Sequence, residues 1–387
     1  MRDLVRRGLD VYCVEWFREQ PCFRSTYGTT FECPNPDERP DEWLSFMIEI
    51  GGRLASKPVL IPTADQFVTA IGRHATELRN HFLFCHGGAT VQALLATKQR
   101  QYDLAGEHGL PVPRTRFVRS VEEMSEFAST AQFPCLFKPL HAREWGRLPA
   151  GHPFRGRQLV VVNSGEELLA KYRLVAEINP ELVVQEVIEG PDTAKLVYLS
   201  CYGSDGRRIG ACMVREVRTA PIYFGSASVV EPVVDEEADS LSDGFLKGIG
   251  YAGICELELK RDSRDGRVKL IEANPRYSVT ADAAPYAGVD LGWLHYLDLI
   301  GQPVAMTNPD GRDFRHIVLI RDFSTFRSYL RDGLVTWGGL FRSYRPPVGF
   351  FDFDLRDWRV TAATVNQLIR LLIGPPLRRL FPRKTPA

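Results

Sequence analysis

Glu272 and Asn274 stand two residues apart in the run Leu270-Ile271-Glu272-Ala273-Asn274-Pro275-Arg276. Side chains alternate along a strand, so the carboxylate and the amide project to one face with Leu270, while Ile271 and Ala273 back onto the core. A carboxylate and an amide oxygen at this spacing can share a hard cation such as Mg²⁺. Arg276 follows where an anionic phosphate needs a cationic partner. The preceding run Cys255-Glu256-Leu257-Glu258-Leu259-Lys260 also alternates and adds two carboxylates. Between the runs, Arg261 to Arg267 is rich in Asp, Ser and Gly and reads as a hairpin turn. Two strands sharing one acidic face point to a metal–phosphate site.

Other segments carry residues suited to the same chemistry. Lys138 ends the apolar strand Phe133 to Pro139, where its ammonium can lie over a polyphosphate. An ordinary strand-end surface lysine is the alternative. Lys98, taken alone, reads as part of a solvated helix face. The stretch 141–158 combines Gly146, Gly151 and Gly156 with Arg143, Arg147, Arg155 and Arg157. Free backbone amides and guanidinium groups suit a mobile lid over phosphates, and a plain surface loop is the competing reading. No G-x-x-x-x-G-K-[ST] loop occurs, and no strand–G-x-G-x-x-G–helix unit is present.

From Val183 the chain runs through Gln185, Glu186 and Ile188 into the turn Gly190-Pro191-Asp192. An extended backbone here can read an adenine edge, and Asp192 can accept from ribose hydroxyls. An edge strand with a turn explains the stretch equally well if it stands alone. Arg215 and Arg218, three apart at a strand end, can stabilise a phosphoryl group or bind a substrate carboxylate, or serve only in surface ion pairs.

The elements that must position these residues follow from periodicity and caps. Residues 2–7 read as a helix stopped by Gly8, Val11 to Trp16 as a strand, 41–55 as a helix, Val59 to Pro62 as a short buried strand and 65–80 as a helix. Alternating strands and helices imply a parallel α/β domain. A helix over 97–108 leads to a strand opening at Val112 to Thr115. Ser120 and Glu123 form a capping box before a helix at 121–130, and Ser164 caps a helix at 165–176. Strands are expected at 133–139, 159–162 and 182–187. Beyond Gly190, Lys195 to Tyr202, Arg208 to Arg215 and Val229 to Pro232 read as antiparallel neighbours, followed by helices at 235–248 and about 289–300. No strands are assigned in the tail beyond 303, and there are no internal repeats.

Bulk properties narrow the function classes. The chain has 387 residues, 44% hydrophobic and 25% charged, as expected of a globular protein of two or three domains. Lys plus Arg and Asp plus Glu are 48 each, which gives no electrostatic reason to expect nucleic acid as a partner. The eight cysteines contain no C-x-x-C pair and read as free thiols of a reducing compartment. No apolar run approaches the roughly 20 residues of a membrane span, and the first residues lack the apolar core of a signal peptide. A soluble, cytoplasmic protein is expected. The apolar, basic tail 368–384 suits either an anionic membrane surface or, as the favoured reading, a helix packed on the body with a frayed end.

Taken in order, these pieces resemble the ATP-grasp superfamily of carboxylate–amine ligases over about residues 94–300. They are closest to the branch of D-aspartate ligase-like enzymes and ATP-grasp carboligases. The matching motifs are T-K-Q-R-Q-Y-D-L-A-G-E-H-G-L-P-V-P-R-T, F-P-C-L-F-K-P, V-V-Q-E-V-I-E-G-P-D and E-L-E-L-K-R-D-S-R-D-G-R-V-K-L-I-E-A-N-P-R. The resemblance implies an α/β (α+β) ATP-grasp fold in three parts: an N-terminal α/β domain at 1–93, an ATP-grasp domain at 94–302 with a lid subdomain at about 115–188, and a C-terminal extension at 303–387. The family's N-terminal domain opens with a strand and a glycine-rich turn, whereas this chain starts on the following helix.

The resemblance also implies roles. Lys98 and Lys138 would contact the ATP phosphates, and Gln185, Glu186 and Ile188 would line the adenine. Asp192 would meet the ribose. Glu258, Glu272 and Asn274 would bind Mg²⁺ (or Mn²⁺), with Glu256 the alternative to Glu258. Arg276, with Arg218 or Arg215, would face the phosphoryl group or the substrate carboxylate. The implied partners are a small carboxylate and an amine, one of them an amino acid, and a homodimer is left open. The implied reaction forms an acyl phosphate that an amine attacks, releasing ADP and phosphate. A carboxylase or carboligase using another nucleophile, and a non-catalytic nucleotide-binding module, are the rival readings.

Overall fold

A computed structural model describes residues 1–85, 88–140, 144–157, 159–223 and 225–380, with the side chains of 89, 92, 96 and 373–380 left aside. Arg143 and the end of the basic tail, both singled out from the sequence, lie outside the described residues. The chain forms two compact units. One comprises 1–109, 191–259 and 272–387, and the other 110–190 and 260–271.

The first unit is built on a seven-stranded sheet. Its strands run in the order Val268–Asn274, Gly253–Arg261, Lys195–Tyr202, Arg208–Ala220, Ser226–Pro232, Arg315–Ile317 and Val348–Phe350, with residues 268–271 and 260–261 of the first two counted in the second unit. The expected antiparallel neighbours are present, with Leu196 opposite Arg215 and Val214 opposite Pro232. Val197, Leu199, Val214, Val230 and Ile254 are among the buried residues of this unit's main core, together with Ala281, Ala284 and Leu291. The helix Glu236–Gly248 starts at Asp235, whose Oδ1 accepts the Ala238 amide at 3.0 Å.

The tail, for which no strand is expected, continues this sheet. Arg315–Ile317 pairs antiparallel with Ser226–Pro232 and parallel with Val348–Phe350. The helices Leu319–Arg331, Trp337–Ser343 and Trp358–Leu380 accompany them. Strands of three residues are too short to show a period.

At the amino end, Tyr12–Glu15 pairs in parallel with an unforeseen strand, Thr29–Glu32. The helix expected at 41–55 covers Pro40–Arg53. Two expectations are corrected here. Val59 makes only an isolated bridge to Leu83 rather than opening a strand. The helix expected over 65–80 breaks at His74 into Asp65–Arg73 and Ala75–Leu78.

The second unit carries an antiparallel sheet in the order Thr115–Val118, Leu182–Glu186, Cys135–Pro139 and Val160–Val162. Its helices Val121–Thr130 and Gly165–Ala176 begin as the capping signals predict. Ser120 Oγ accepts the Glu123 amide and Ser164 Oγ the Glu167 amide, each at 3.2 Å. The stretch read as a mobile lid is corrected in its described part. Glu144–Arg147 is a 3-10 turn, and Trp145, Leu148 and Phe154 are 0, 3 and 4% exposed. Trp145 stacks on Phe154 at 5.3 Å and meets Phe137 edge-on at 5.7 Å. Apolar burial anchors these residues, although the Arg and Gly between them suggested a solvated loop. Leu270 is fully buried in this unit, with its N–H on the Pro111 carbonyl at 2.8 Å.

Candidate active site

In the first unit the base of the hairpin gathers the residues that the sequence singled out. The helix Lys98–Glu107 is capped by Thr97, whose Oγ1 accepts the Arg100 amide at 3.1 Å. Buried Gln101 ties that helix to the hairpin. Its Oε1 accepts the Ala273 N–H at 3.1 Å, while its Nε2 donates to the carbonyls of Ala273 (3.0 Å) and Leu94 (2.6 Å). The tie places Lys98 Nζ 3.1 Å from Glu272 Oε1. Burial works against the Lys98 charge, yet Glu272, Tyr102 and Glu258 hold its pKa above the usual lysine value.

Asn274 lies between the two inner carboxylates. Its Nδ2 donates to Glu256 Oε1 at 3.0 Å and stands 3.5 Å from Glu258 Oε1. Its Oδ1 accepts from Arg276 Nη2 at 3.2 Å, and Arg276 Nε donates to Asp65 Oδ1 at 2.5 Å. Ser278 Oγ donates to the second oxygen of Glu256 at 2.5 Å. Both Glu256 oxygens therefore hold protein donors, whereas among the described residues Glu258 has this one long contact from Asn274. A metal needs carboxylate lone pairs not already committed, so this favours Glu258 over Glu256 as a ligand.

Lys98 and Arg276 compensate the acidic face only in part. Burial, with Glu256, Glu272 and Glu216 adding to it, pushes the Glu258 carboxyl up to about 8, against the pull of Lys98. Burial also raises Glu256, although Ser278, Arg276 and Asn274 oppose it. Crowded buried carboxylates of this kind fit a divalent cation, whose charge would hold them ionised. Among the described residues, no group of three or more His, Cys, Asp or Glu side chains is close enough to hold a metal by itself. The donor chemistry of Glu258, Glu272 and Asn274 fits a hard cation, without a preformed coordination shell.

Asp192 belongs to a neighbouring network in the same unit. Its Oδ2 accepts from Thr219 Oγ1 (2.9 Å), Tyr329 OH (2.9 Å) and the Tyr223 N–H (3.2 Å), while Oδ1 faces Lys195 Nζ at 3.9 Å. Lys195 also pairs with Glu216 at 3.2 Å, and burial pushes the Glu216 carboxyl up to about 7.

The other two arginines are engaged elsewhere. Arg218 is 3% exposed and grips Asp322 through Nε (2.7 Å) and Nη2 (2.8 Å), with Nη1 on Ser343 Oγ at 3.0 Å. Arg215 Nε donates to Glu231 Oε1 at 2.8 Å.

In the second unit, Lys138 sits opposite Val183 and Gln185 opposite Thr115 in the ladders. Gln185 Nε2 donates to Thr115 Oγ1 at 2.8 Å, Glu186 Oε1 accepts the Gln132 amide at 2.8 Å, and Ile188 is buried.

Sequence reasoning missed four contributors. Gln101 lies one helical turn from Lys98, a spacing that could have signalled it. Ser278 and Lys195 have no periodic signature. Arg321 comes from the tail helix and donates to the Ala227 carbonyl at 3.2 Å. Burial lowers its pKa, opposed by Asp352, Glu256, Glu216 and Glu258, so it lies within the field of the same carboxylates.

No family model matches the chain. In sequence it is similar to a D-aspartate ligase of Enterococcus faecium (strain Aus0004), 27% identical over 247 residues that cover 61% of this chain and 57% of that protein. It is also similar to the carbamoyl phosphate synthase large chain of Clavibacter michiganensis subsp. michiganensis (strain NCPPB 382). That match is 25% identical over 259 residues, covering 65% of this chain and 21% of the other. The match thus spans little more than half of the first relative and about a fifth of the second. Among solved structures, the ADP complex of an N5-carboxyaminoimidazole ribonucleotide synthetase superposes with a TM-score of 0.59 at 14% identity, covering 85% of this chain and 80% of that one. An L-amino acid ligase from Bacillus licheniformis gives 0.55 at 15% identity, covering 77 and 70%.

The fold is therefore the ATP-grasp fold. With the sequence matches beside it, the similarities together indicate an ATP-grasp superfamily ligase.

Proposed function

We propose that the protein is an ATP-dependent, ADP-forming ligase. It would activate a small carboxylate as an acyl phosphate and join it to an amine, one of the two being an amino acid. The observation that carries this reading is the cluster at the hairpin base, where Lys98 meets Glu272 beside Glu258, Asn274 and Arg276. The similarity to a D-aspartate ligase supports the choice of an amine as acceptor.

In this reading the substrate carboxylate attacks the γ-phosphorus of ATP. The amine then adds to the acyl phosphate carbon and phosphate leaves. Glu258, Glu272 and Asn274 would hold Mg²⁺ or Mn²⁺, which supplies charge neutralisation on the phosphates when bound. Lys98 is preset near that charge by its pairing with Glu272 and would exchange the carboxylate for phosphate oxygen. Arg276 is the arginine assigned to the transferred group or the substrate carboxylate, because Arg218 and Arg215 are committed to Asp322 and Glu231. Asp192 is assigned to the ribose. Lys138, Gln185, Glu186 and Ile188 are assigned to the phosphates and the adenine. The division at 93 and 302 is retained as the functional partition of this reading.

The test is ADP release with pooled amino acids, with hydroxylamine added to trap acyl phosphate as hydroxamate. Hydroxamate that depends on one carboxylate, and disappears in a folded Glu272→Ala/Asn274→Ala variant, is the expected outcome. Unchanged turnover in that variant, or magnesium-dependent ATP binding without turnover on any substrate, would refute the reading.

A further inference from the structure

The last helix, Trp358–Leu380, has one side covered by the protein and an apolar stripe on the other. Val360 and Thr364 are buried, at 5 and 3% exposure. On the opposite side, Trp358, Val365, Ile369 and Leu372 are 61, 40, 47 and 42% exposed. At 100° per residue these four, with exposed Ala362 between them, fall on one line along the helix.

Charge indicates what covers this line. Exposed Arg359 and Arg370 lie along one side of it, and the Arg359 guanidinium lies 5.4 Å from the centre of the Trp358 ring. From Trp358 to the end of the sequence there are six basic residues and no acidic one. The acids just before the helix are turned away. Asp357 is 1% exposed and accepts from Ser25 Oγ and the Thr26 amide, and Asp354 pairs with Arg6. A second copy of this helix would bring no carboxylate to meet these arginines. An anionic lipid surface meets both demands, taking up the apolar line and neutralising the arginines beside it. No helix of the described residues is long and apolar enough to cross a membrane, so the contact is peripheral.

We propose that the exposed line Trp358, Val365, Ile369 and Leu372, with Arg359 and Arg370, docks the protein on the surface of an anionic membrane. This goes beyond the ligase reading and does not depend on it.

The full chain is floated with phosphatidylcholine vesicles and with vesicles containing phosphatidylglycerol, at low and high salt. The Val365→Ser/Ile369→Ser/Leu372→Ser variant is run alongside. All three positions are exposed, so its melting curve should match that of the parent. Flotation is expected with the phosphatidylglycerol vesicles alone, weakened by salt, and reduced on the order of 100-fold in the variant. Three outcomes overturn the proposal: no flotation of the parent, equal flotation of parent and variant, or equal binding to both vesicle types. A parent dimer that the variant abolishes, with no lipid binding, would assign the line to a second copy instead.

Discussion

Removing the Asp322 carboxylate should cost about as much stability as any single change in this chain. The Asp322 carboxylate is fully buried and takes four donors: Arg218 Nε at 2.7 Å and Nη2 at 2.8 Å, Ser228 Oγ at 3.2 Å and the Tyr344 hydroxyl. Asp322→Ala strands the Arg218 guanidinium in the interior with Ser343 as its remaining side-chain acceptor. Breaking one partner out of a buried pair costs about 3–5 kcal/mol. That is on the order of a thousandfold in the unfolding equilibrium. Urea unfolding of parent and variant under identical conditions measures it. Replacing both partners, Arg218→Met with Asp322→Leu, should recover most of the loss, because no orphaned charge remains. A loss below about 1 kcal/mol for Asp322→Ala would refute the argument from burial. The double variant also separates the two roles open to Arg218. If it folds normally yet releases no ADP, Arg218 acts on the phosphoryl group after all.

Three further outcomes follow from the same geometry. Glu258→Gln should lower magnesium-dependent ADP formation by more than about 100-fold, whereas Glu256→Gln should mainly lower the melting temperature, since Glu256 is held by Ser278 and Asn274; equal activity losses with unchanged melting would contradict this. Trp145→Ala should destabilise the second unit by about 3–5 kcal/mol, read as earlier loss of amide protection across its four strands, and protection unchanged there would count against the aromatic anchor. Burial pushes the His295 imidazole down to about 4, so the unfolded chain binds the extra proton between that value and about 6.5. Stability on this account is full above that window, falls as the pH drops through it, and amounts to about 3 kcal/mol; His295→Leu should show a flatter pH dependence, and parallel curves would refute the assignment.

Much of the site was legible because its residues carry local signals. The Glu272 and Asn274 strand announces itself by alternation and a charged turn, and Ser120, Ser164 and Asp235 mark their helices by cap chemistry that acts over three residues. What stayed hidden depends on contacts distant in sequence. Arg218 reads as a phosphate ligand until Asp322, 104 residues away, is seen to hold it. Trp145 and Phe154 sit among arginines and glycines, so composition outweighed the two side chains that anchor the segment. The strands Arg315–Ile317 and Val348–Phe350 exist because Ser226–Pro232 offers them an edge, a tertiary cause that three residues cannot reveal.

Gln101 has a consequence beyond placing Lys98. Val268–Asn274 is the outermost strand of its sheet, and an outer strand presents unpaired amides and carbonyls to any other extended chain. At Ala273 both groups are taken by one side-chain amide, which occupies the position of a neighbouring strand's peptide without extending the sheet. The same residue that registers the lysine against the carboxylates thereby closes the sheet edge to self-association at the point where the acidic face begins.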